Sequence, residues 1–420
     1  MALSKKPVTG MREILPAEMQ IRDYVIGLIK ETYKGFGFTS IETPCVESIS
    51  NLCSKQGGEN EKLIFKIMKR GEKLNLEKAS SENDLADSGL RYDLTLPLSR
   101  FYSNNAANLP KPFKALQIGP VWRADHPQKG RFRQFYQCDI DILGDPTNMA
   151  EIELILATTT LLGKVGFSGF TVRINDRRIL KAMAQYSGFP SDQYDEVFII
   201  LDKMDKIGID GVSRELKEAG FAGDAVDTYL EMFAELEQSE NGIAYIGEKL
   251  SGVLENDAAE NLQQIADCVT ATAETKFNLV FDPTLVRGMS YYTGTIFEIE
   301  MEGFGGSVAG GGRYDEMVGK FTGVQTCACG FSIGFERIIT ILLDNNFQVP
   351  SQAEKKAYLI EKGMSSERLC EVMKEAQEER SRGTQVLVSL MNKNKKFQKK
   401  QLTEEGYTEF KEFYKNPLKM

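Results

Sequence analysis

Apolar residues recur at helical spacing in residues 19–33, where Ile21, Tyr24, Val25, Leu28 and Ile29 fall on one stripe. The stretch FGFTSIETP then alternates apolar with polar and stops at Pro44, so the pattern predicts a helix running into a strand. RYDLTLPLSRFY predicts a helix start, while FKALQIGPVWRAD and RQFYQCDIDILGD alternate on either side of the polar loop DHPQKGRF and predict an antiparallel hairpin. MAEIELILATTTLLGKVG (149–166) is helical by period, and FTVRIND reads as a strand. From about 177 to 272 strand alternation disappears. KAMAQYSG, DEVFIILDKMDKIG, VSRELKEAG, DAVDTYLEMFAELEQ and NLQQIADCVTATAE are helix-like pieces and predict an inserted helical module. Strand signals resume at 277–300 and 306–313, and GFSIGFERIITILL (330–343) predicts a strand entering a helix. Inside the first of these, LVRGMSYYTGTIFEIE alternates like a half-buried strand yet carries Arg287 and two adjacent tyrosines. After the linker-like QVPSQAEKK, the pieces KAYLIEKG, SSERLCEVMKEAQEERSRG, TQVLVSLM and NKNKKFQKKQLTEEG alternate strand, helix, strand, helix, as in a small parallel α/β unit.

Composition narrows the chemistry. A chain of 420 residues with 42% hydrophobic and 26% charged content is large enough for two or three domains with sizeable cores. Its seven cysteines form no closely spaced even framework and follow no secretory leader, so reduced thiols and a cytoplasmic location are expected. No apolar run approaches the roughly 20 residues that span a bilayer, so no membrane association is expected. A net charge of -9 argues against a surface coated for nonspecific nucleic-acid binding, though a local basic face is compatible with it. One histidine, His126, serves the whole chain, which nearly excludes a His base with a nucleophile and a His-rich zinc site. Cys327-Ala-Cys329 is spaced too tightly for the usual zinc pair, so no protein-held metal is expected. No GxxxxGK[ST] occurs, so a bound nucleotide must have its phosphates held by side chains.

Three constellations carry chemistry. In VWRADHPQKGRFRQFYQCDID, Arg123 ends one strand, Lys129, Arg131 and Arg133 lie in or beside the loop, and Gln137, Asp139 and Asp141 share one face of the return strand. Polar groups thus stand where a core-facing strand should be apolar; the competing reading is a solvated hairpin edge. In GFGGSVAGGGRYDEMVG, Gly310, Gly311 and Gly312 leave room for a ligand to approach the backbone before an expected helix, against the alternative of a flexible turn. In GFSIGFERI, Gly330 and Gly334 flank a short strand and Arg337 sits near a helix start, where it can lie over a base or reach a phosphate; alternatively Glu336 and Arg337 are surface residues of a first turn.

Together with TGMREILP, IETP, LRYDLTLPLSR, QKGR, FYQCDID, RGMSYYTG and GGGRYD, in that order, these constellations resemble the class II aminoacyl-tRNA synthetases, and over about 1–345 the histidyl-tRNA synthetase family. The resemblance implies an α+β fold, with an antiparallel sheet flanked by helices, a helical insertion and a small C-terminal α/β domain. It divides the chain into catalytic core at 1–176 and 273–347, insertion at 177–272, and a shortened anticodon-binding-like unit at 352–420. It implies activation of L-histidine with ATP and transfer to tRNA(His), with Mg2+ bridging the phosphates and a homodimer built on the first motif. Arg123 and Arg287 would be catalytic. Asp93, Leu94, Thr95, Arg123, Gln137, Asp141, Arg287, Tyr291, Tyr292 and Tyr314 would bind histidine, Asp93 and Thr95 at its α-amino group and Gln137, Asp141 and Tyr292 at its imidazole. Arg123, Asp125, Arg131, Phe135 and Arg337 would bind ATP. Lys393, Lys395, Lys396, Lys399 and Lys400 would contact tRNA, with Phe397 and Leu402 facing inward; a solvated lysine face is the plainer alternative. Ser290 stands where the signature often has Asp, and the closing GYTEFKEFYKNPLKM replaces the family's last strand-rich part. A second class remains, a synthetase-like histidine-sensing regulatory subunit of ATP phosphoribosyltransferase.

Overall fold

An eight-stranded mixed sheet organises most of the chain in the computed structural model, which describes residues 4–53, 61–77, 79–127, 131–255, 257–286, 291–301, 306–350 and 354–416. Its strands are β1 (Thr39–Ile41), β2 (Phe113–Trp122), β3 (Gln134–Leu143), β4 (Thr171–Asp176), β5 (Asn278–Phe281), β6 (Thr295–Glu300), β7 (Ser307–Arg313) and β8 (Ala328–Ile333). They lie side by side in the order β1-β2-β3-β8-β7-β6-β4-β5. β1 with β2 and β4 with β5 are parallel, and every pair between them is antiparallel. β2 and β3 pair without a break from Phe113 opposite Leu143 to Trp122 opposite Gln134, so the expected hairpin is present.

The period of two along β3 sorts its side chains. Cys138, Ile140 and Ile142 are buried on one face, and the helix Met149–Val165 packs against this part of the sheet. Gln137, Asp139 and Asp141 occupy the other face. The helix Pro16–Gly35 buries Val25, Ile29 and Tyr33, which recur every fourth position.

Residues 177–272 hold the helices Arg177–Ser187, Tyr194–Leu201, Met204–Glu218, Gly223–Glu237, Gly242–Lys249 and Ala258–Thr272, with no strand among the described residues. The Asp176 carboxylate caps the first of these by accepting from the Arg178 N–H at 2.8 Å, and Gly188, at φ 88°, ends it in the left-handed conformation. Phe189, Tyr229 and their neighbours Phe221 and Phe233 pack edge to face, with ring centroids 5.2–5.3 Å apart. The helix Gly242–Lys249 was not expected from periodicity. Its signal was a cap, because the Asn241 side chain accepts from the Ala244 N–H at 3.1 Å.

Two expectations are corrected. The described residues of LVRGMSYYTG are not strand: β6 begins only at Thr295, and Tyr291 to Gly294 form a turn and loop, while 287–290 lie outside the described residues. The partners explain this. β4 ends at Asp176, where its helix begins, and β7 ends at Arg313, so before Thr295 the pairing shrinks to isolated backbone bonds, from the Arg177 N–H to the Gly294 carbonyl at 3.0 Å and from the Thr293 N–H to the Arg313 carbonyl at 2.8 Å. The helix expected after GGGRYD is only the four-residue turn Gly319–Thr322.

The chain divides into two compact units, one of Met1–Ile14 with Arg22–Asn345, the other of Leu15–Ile21 with Asn346–Met420. Within the second, the strand Lys355–Ile360 pairs in parallel with Gln385–Leu390 on one side and Glu409–Phe413 on the other. The third strand lies in the closing segment where none was read from the sequence. Alternate residues of Lys355–Ile360 enter two small cores: Tyr358 and Ile360 meet Val372 and Ala376 of the helix Ser366–Ser381, and Ala357 and Leu359 meet Leu402 of the helix Lys395–Glu404. Being covered on both faces makes the strand read as an apolar run.

Candidate active site

A cavity of about 640 Å³ opens over β3, β8 and β7. Its walls include Asp93, Thr95, Arg123, Asp125, Arg131, Phe135, Gln137, Asp141, Tyr291, Tyr292, Tyr314 and Arg337, residues separated by more than 200 positions in the chain. Leu94 is not among them. Its side chain is buried in the core, and its carbonyl accepts from Gln117 Nε2 at 3.1 Å. Arg287, Ser290 and Lys129 lie outside the described residues.

The floor is built by strand register. Asp139 stands opposite Ser332 and Asp141 opposite Gly330, with Gly310 and Gly312 opposite those in turn. A β-carbon at Gly330 would collide with the Asp141 carboxylate and press on the Tyr314 ring, and one at Gly311 would strike the Gly330 carbonyl. The glycines therefore form strands that let acidic groups lie along the sheet, not a flexible turn. The solvated-edge reading of the hairpin also fails, because Gln137, Asp139 and Asp141 are 8%, 3% and 3% exposed.

Burial dominates the electrostatics. Tyr314 OH donates to Asp141 Oδ1 at 2.6 Å. Burial raises both groups well above their ordinary pKa ranges, and the neighbouring Asp139 adds to the effect on Asp141. Asp93 is buried as well; burial raises its carboxyl, while bonds from backbone N–H groups and the charge of Arg123 pull it back. Asp93 Oδ1 accepts from the Leu96 N–H at 3.1 Å at the start of the helix Thr95–Asn105. Oδ2 of Asp93 and Oδ2 of Asp141 are buried with no hydrogen-bond partner among the described residues.

Arg123 leaves the end of β2 and is fixed from several sides. Its Nε donates to the Tyr92 carbonyl at 2.9 Å, a terminal nitrogen lies 3.5 Å from Gln137 Oε1, and its guanidinium sits 5.1 Å from the centre of the Phe135 ring. Its backbone N–H bonds the Arg133 carbonyl at 2.9 Å, and Arg133 N–H bonds the Gly10 carbonyl at 2.8 Å, which ties TGMREILP to the loop. Gly10, at φ 82°, lies so close to Arg133 and Pro127 that a side chain would clash there. Within the loop Arg131 pairs with Asp125 at 3.4 Å, and His126 is exposed.

Arg337 stands in the first turn of the helix Phe335–Asp344 and donates to the Ser307 carbonyl. Its neighbour Glu336 is no surface residue. It accepts two bonds from Arg22, at 2.7 and 2.8 Å, and one from the Tyr136 N–H at 3.2 Å. Sequence reading did not assign Glu336, Asp139 or Ser332 to the site. Asp139 had a usable signal, since it shares the two-residue period of Gln137 and Asp141.

The basic segment near the C-terminus divides by environment. Lys395 and Lys399 both pair with Glu412, at 2.8 and 2.7 Å, whereas Lys393, Lys396 and Lys400 are exposed, Lys400 lying 4.0 Å from Glu404. Leu402 faces inward as expected, but Phe397 is 55% exposed. The helix turns Gln398 and Leu402, four positions apart, toward the sheet, which places Phe397 outside that stripe.

Among the described residues no group of three or more His, Cys, Asp or Glu side chains is placed to hold a metal, all seven cysteines are unbridged, and no helix is long and apolar enough to cross a membrane.

Known proteins share this architecture. The family model described as histidyl-tRNA synthetase matches residues 10–338. A histidine-tRNA ligase of Leifsonia xyli subsp. xyli is 45% identical over 352 residues, covering 81% of each chain, and that of Flavobacterium johnsoniae is 38% identical, covering 79% of this chain and 76% of its own. The crystal structure of histidyl-tRNA synthetase from a Nostoc species superposes with a TM-score of 0.76 at 25% identity, over 96% of this chain and 90% of the other. A Bacillus halodurans structure titled as an ATP phosphoribosyltransferase regulatory subunit/histidyl-tRNA synthetase has the same fold, at a TM-score of 0.76 and 20% identity over 99% of both chains. The chain belongs to the histidyl-tRNA synthetase family, a family of aminoacyl-tRNA ligases.

Proposed function

We propose that this chain is a histidine-tRNA ligase that forms histidyl-adenylate from L-histidine and ATP, then passes the histidyl group to tRNA(His) and releases AMP. One observation carries the reading. Asp93 Oδ2 and Asp141 Oδ2, both buried and without a partner among the described residues, share a cavity with Arg123. Buried acceptors of this kind call for a ligand that brings N–H donors, and histidine brings an ammonium group and an imidazole.

In the first step a carboxylate oxygen of histidine attacks the α-phosphorus of ATP and diphosphate leaves. A carboxylate is already ionised at neutral pH, so no general base is required; the obstacle is repulsion between two anions. Arg123 would hold the α-phosphate and the carboxylate, and Arg287 would approach from the opposite side, a role resting on the RGMSYYTG signature. Asp93 and Thr95 would receive the ammonium group. Gln137, Asp141 and Tyr292 would read the imidazole, with Tyr291 and Tyr314 completing the walls. Phe135 would stack on adenine, Arg337 would contact adenine and the γ-phosphate, and Asp125 with Arg131 would hold the nucleotide from the loop. Magnesium enters as the counter-ion of ATP, held by phosphate oxygens and water. In this reading 1–176 and 273–347 form the catalytic core around the insertion 177–272, and 352–420 is an anticodon-binding-like unit whose lysines meet tRNA phosphates; the working form is a homodimer.

Histidine-dependent exchange of pyrophosphate into ATP, followed by charging of tRNA(His), tests the reading. Both are expected. Histidine binding by folded protein without exchange would overturn the ligase and favour a histidine-sensing regulator.

A further inference from the structure

Asp139 has no assigned task, yet it lies on the cavity floor, 3% exposed, between Gln137 and Ser332. Ser332 Oγ donates to Asp139 Oδ1 at 2.5 Å. Gln137 Nε2 lies 3.2 Å from Asp139 Oδ2, 3.4 Å from Oδ1 and 3.2 Å from Ser332 Oγ. The two hydrogens of the Gln137 amide are thus committed, one to the carboxylate and one to the hydroxyl. The carbonyl Oε1 is turned toward Arg123, 3.5 Å away. A flipped amide would set its NH2 against a guanidinium and its oxygen against a carboxylate, two repulsive contacts in place of attractive ones.

We propose that Asp139, together with Ser332, is a positioning residue that fixes the Gln137 amide with its oxygen toward the cavity, so that this part of the floor offers an acceptor to the N–H donors of the amino-acid substrate. The inference rests on the histidine-activating reading and deepens it. Asp93 Oδ2, Asp141 Oδ2 and Gln137 Oε1 then form a floor of acceptors, with Arg123 the cation beside it. A side chain without N–H groups would leave those acceptors buried and unmatched.

The device depends on charge, because only the carboxylate form of Asp139 accepts from both neighbours. Asp139 faces Ser332 on β8, Gln117 opposite it on β2, and Gln137 and Asp141 on its own strand; the charges of Asp93 and Arg123 act on it, and it acts on Cys138 and on Tyr33 of the helix Pro16–Gly35. Burial pushes its carboxyl up to about 7, and bonding from Ser332 pulls against that. Ionisation of Asp139 therefore improves histidine binding as pH rises through that range.

Steady-state pyrophosphate exchange with Asp139→Asn tests this. The asparagine can donate to Gln137 Oε1 and so permit the flip. The histidine KM is expected to rise about tenfold, the worth of one charge-assisted hydrogen bond, while the ATP KM and the kcat at saturating histidine stay within about threefold. The histidine KM of the wild type should fall between pH 6 and 8 by a component that the variant lacks; the substrate's own imidazole titration is common to both. Ser332→Ala, which keeps the carboxylate, should give a smaller rise in the same parameter and serves if Asp139→Asn does not fold. An unchanged histidine KM with an unchanged pH profile overturns the proposal, as does a parallel rise of both KM values with a lowered thermal midpoint. Absence of exchange by the wild type would instead overturn the histidine-activating reading itself.

Discussion

The cavity floor and the lysine helix are both polar runs in the sequence, but folding treats them in opposite ways. Along β3, Gln137, Asp139 and Asp141 are buried against one another and against Asp93, and two of these carboxylates keep an oxygen without a partner among the described residues. Along Lys395–Glu404, charge is cancelled locally. Glu412 takes Lys395 and Lys399, and their hydrogen bonds pull its carboxyl down to about 2. Burying polar groups costs stability unless something satisfies them, so their presence on a core-facing strand indicates a ligand. A basic helix face at the surface carries no such cost and shows far less about partners.

The sharpest contrast lies between buried and surface ion pairs. Glu336→Gln removes the carboxylate that accepts two bonds from buried Arg22 and is expected to lower stability by about 3–5 kcal/mol, measured by denaturant unfolding; Lys400→Ala, which removes an exposed pair with Glu404, should leave the midpoint unchanged. Equal effects would erase the distinction. Next in size, Arg123→Ala should reduce the exchange rate about 10²- to 10³-fold with a much smaller change in histidine affinity, and Arg287→Ala should abolish exchange while histidine binding stays detectable. A change confined to KM would remove the roles assigned to these arginines. Smallest is the effect in the C-terminal unit. Lys396→Ala should leave exchange untouched, weaken tRNA binding a few-fold and reduce the salt dependence by about one phosphate contact. If Lys395→Ala matched it, the neutralisation by Glu412 would be irrelevant to partner choice.

Much of this was legible beforehand where a short-range period carried it. The β2–β3 hairpin, the polar face of Gln137 and Asp141, and the helices of 177–272 other than Gly242–Lys249 follow from spacing. Strand order was not legible, because β8 lies between β3 and β7 only through contacts distant in sequence. The described residues of LVRGMSYYTG misled for the same reason: the flanking strands end at Asp176 and Arg313, and only isolated backbone bonds extend them to Gly294 and Thr293. Phe397 misled because a helix stripe is set by which residues meet the sheet, and Gln398 with Leu402 took that place. The burial of Glu336 depended on Arg22, some 300 residues away in the chain.

The central claim is that this cavity selects histidine and joins it to AMP. Pyrophosphate exchange into ATP by the wild-type protein, measured with each of the common amino acids in turn, tests it most directly. The account predicts exchange with histidine and background rates with glutamine, asparagine and phenylalanine, which share parts of its shape but not its pair of ring nitrogens. Exchange supported equally by one of these, or by none of the amino acids with folded protein, would contradict it.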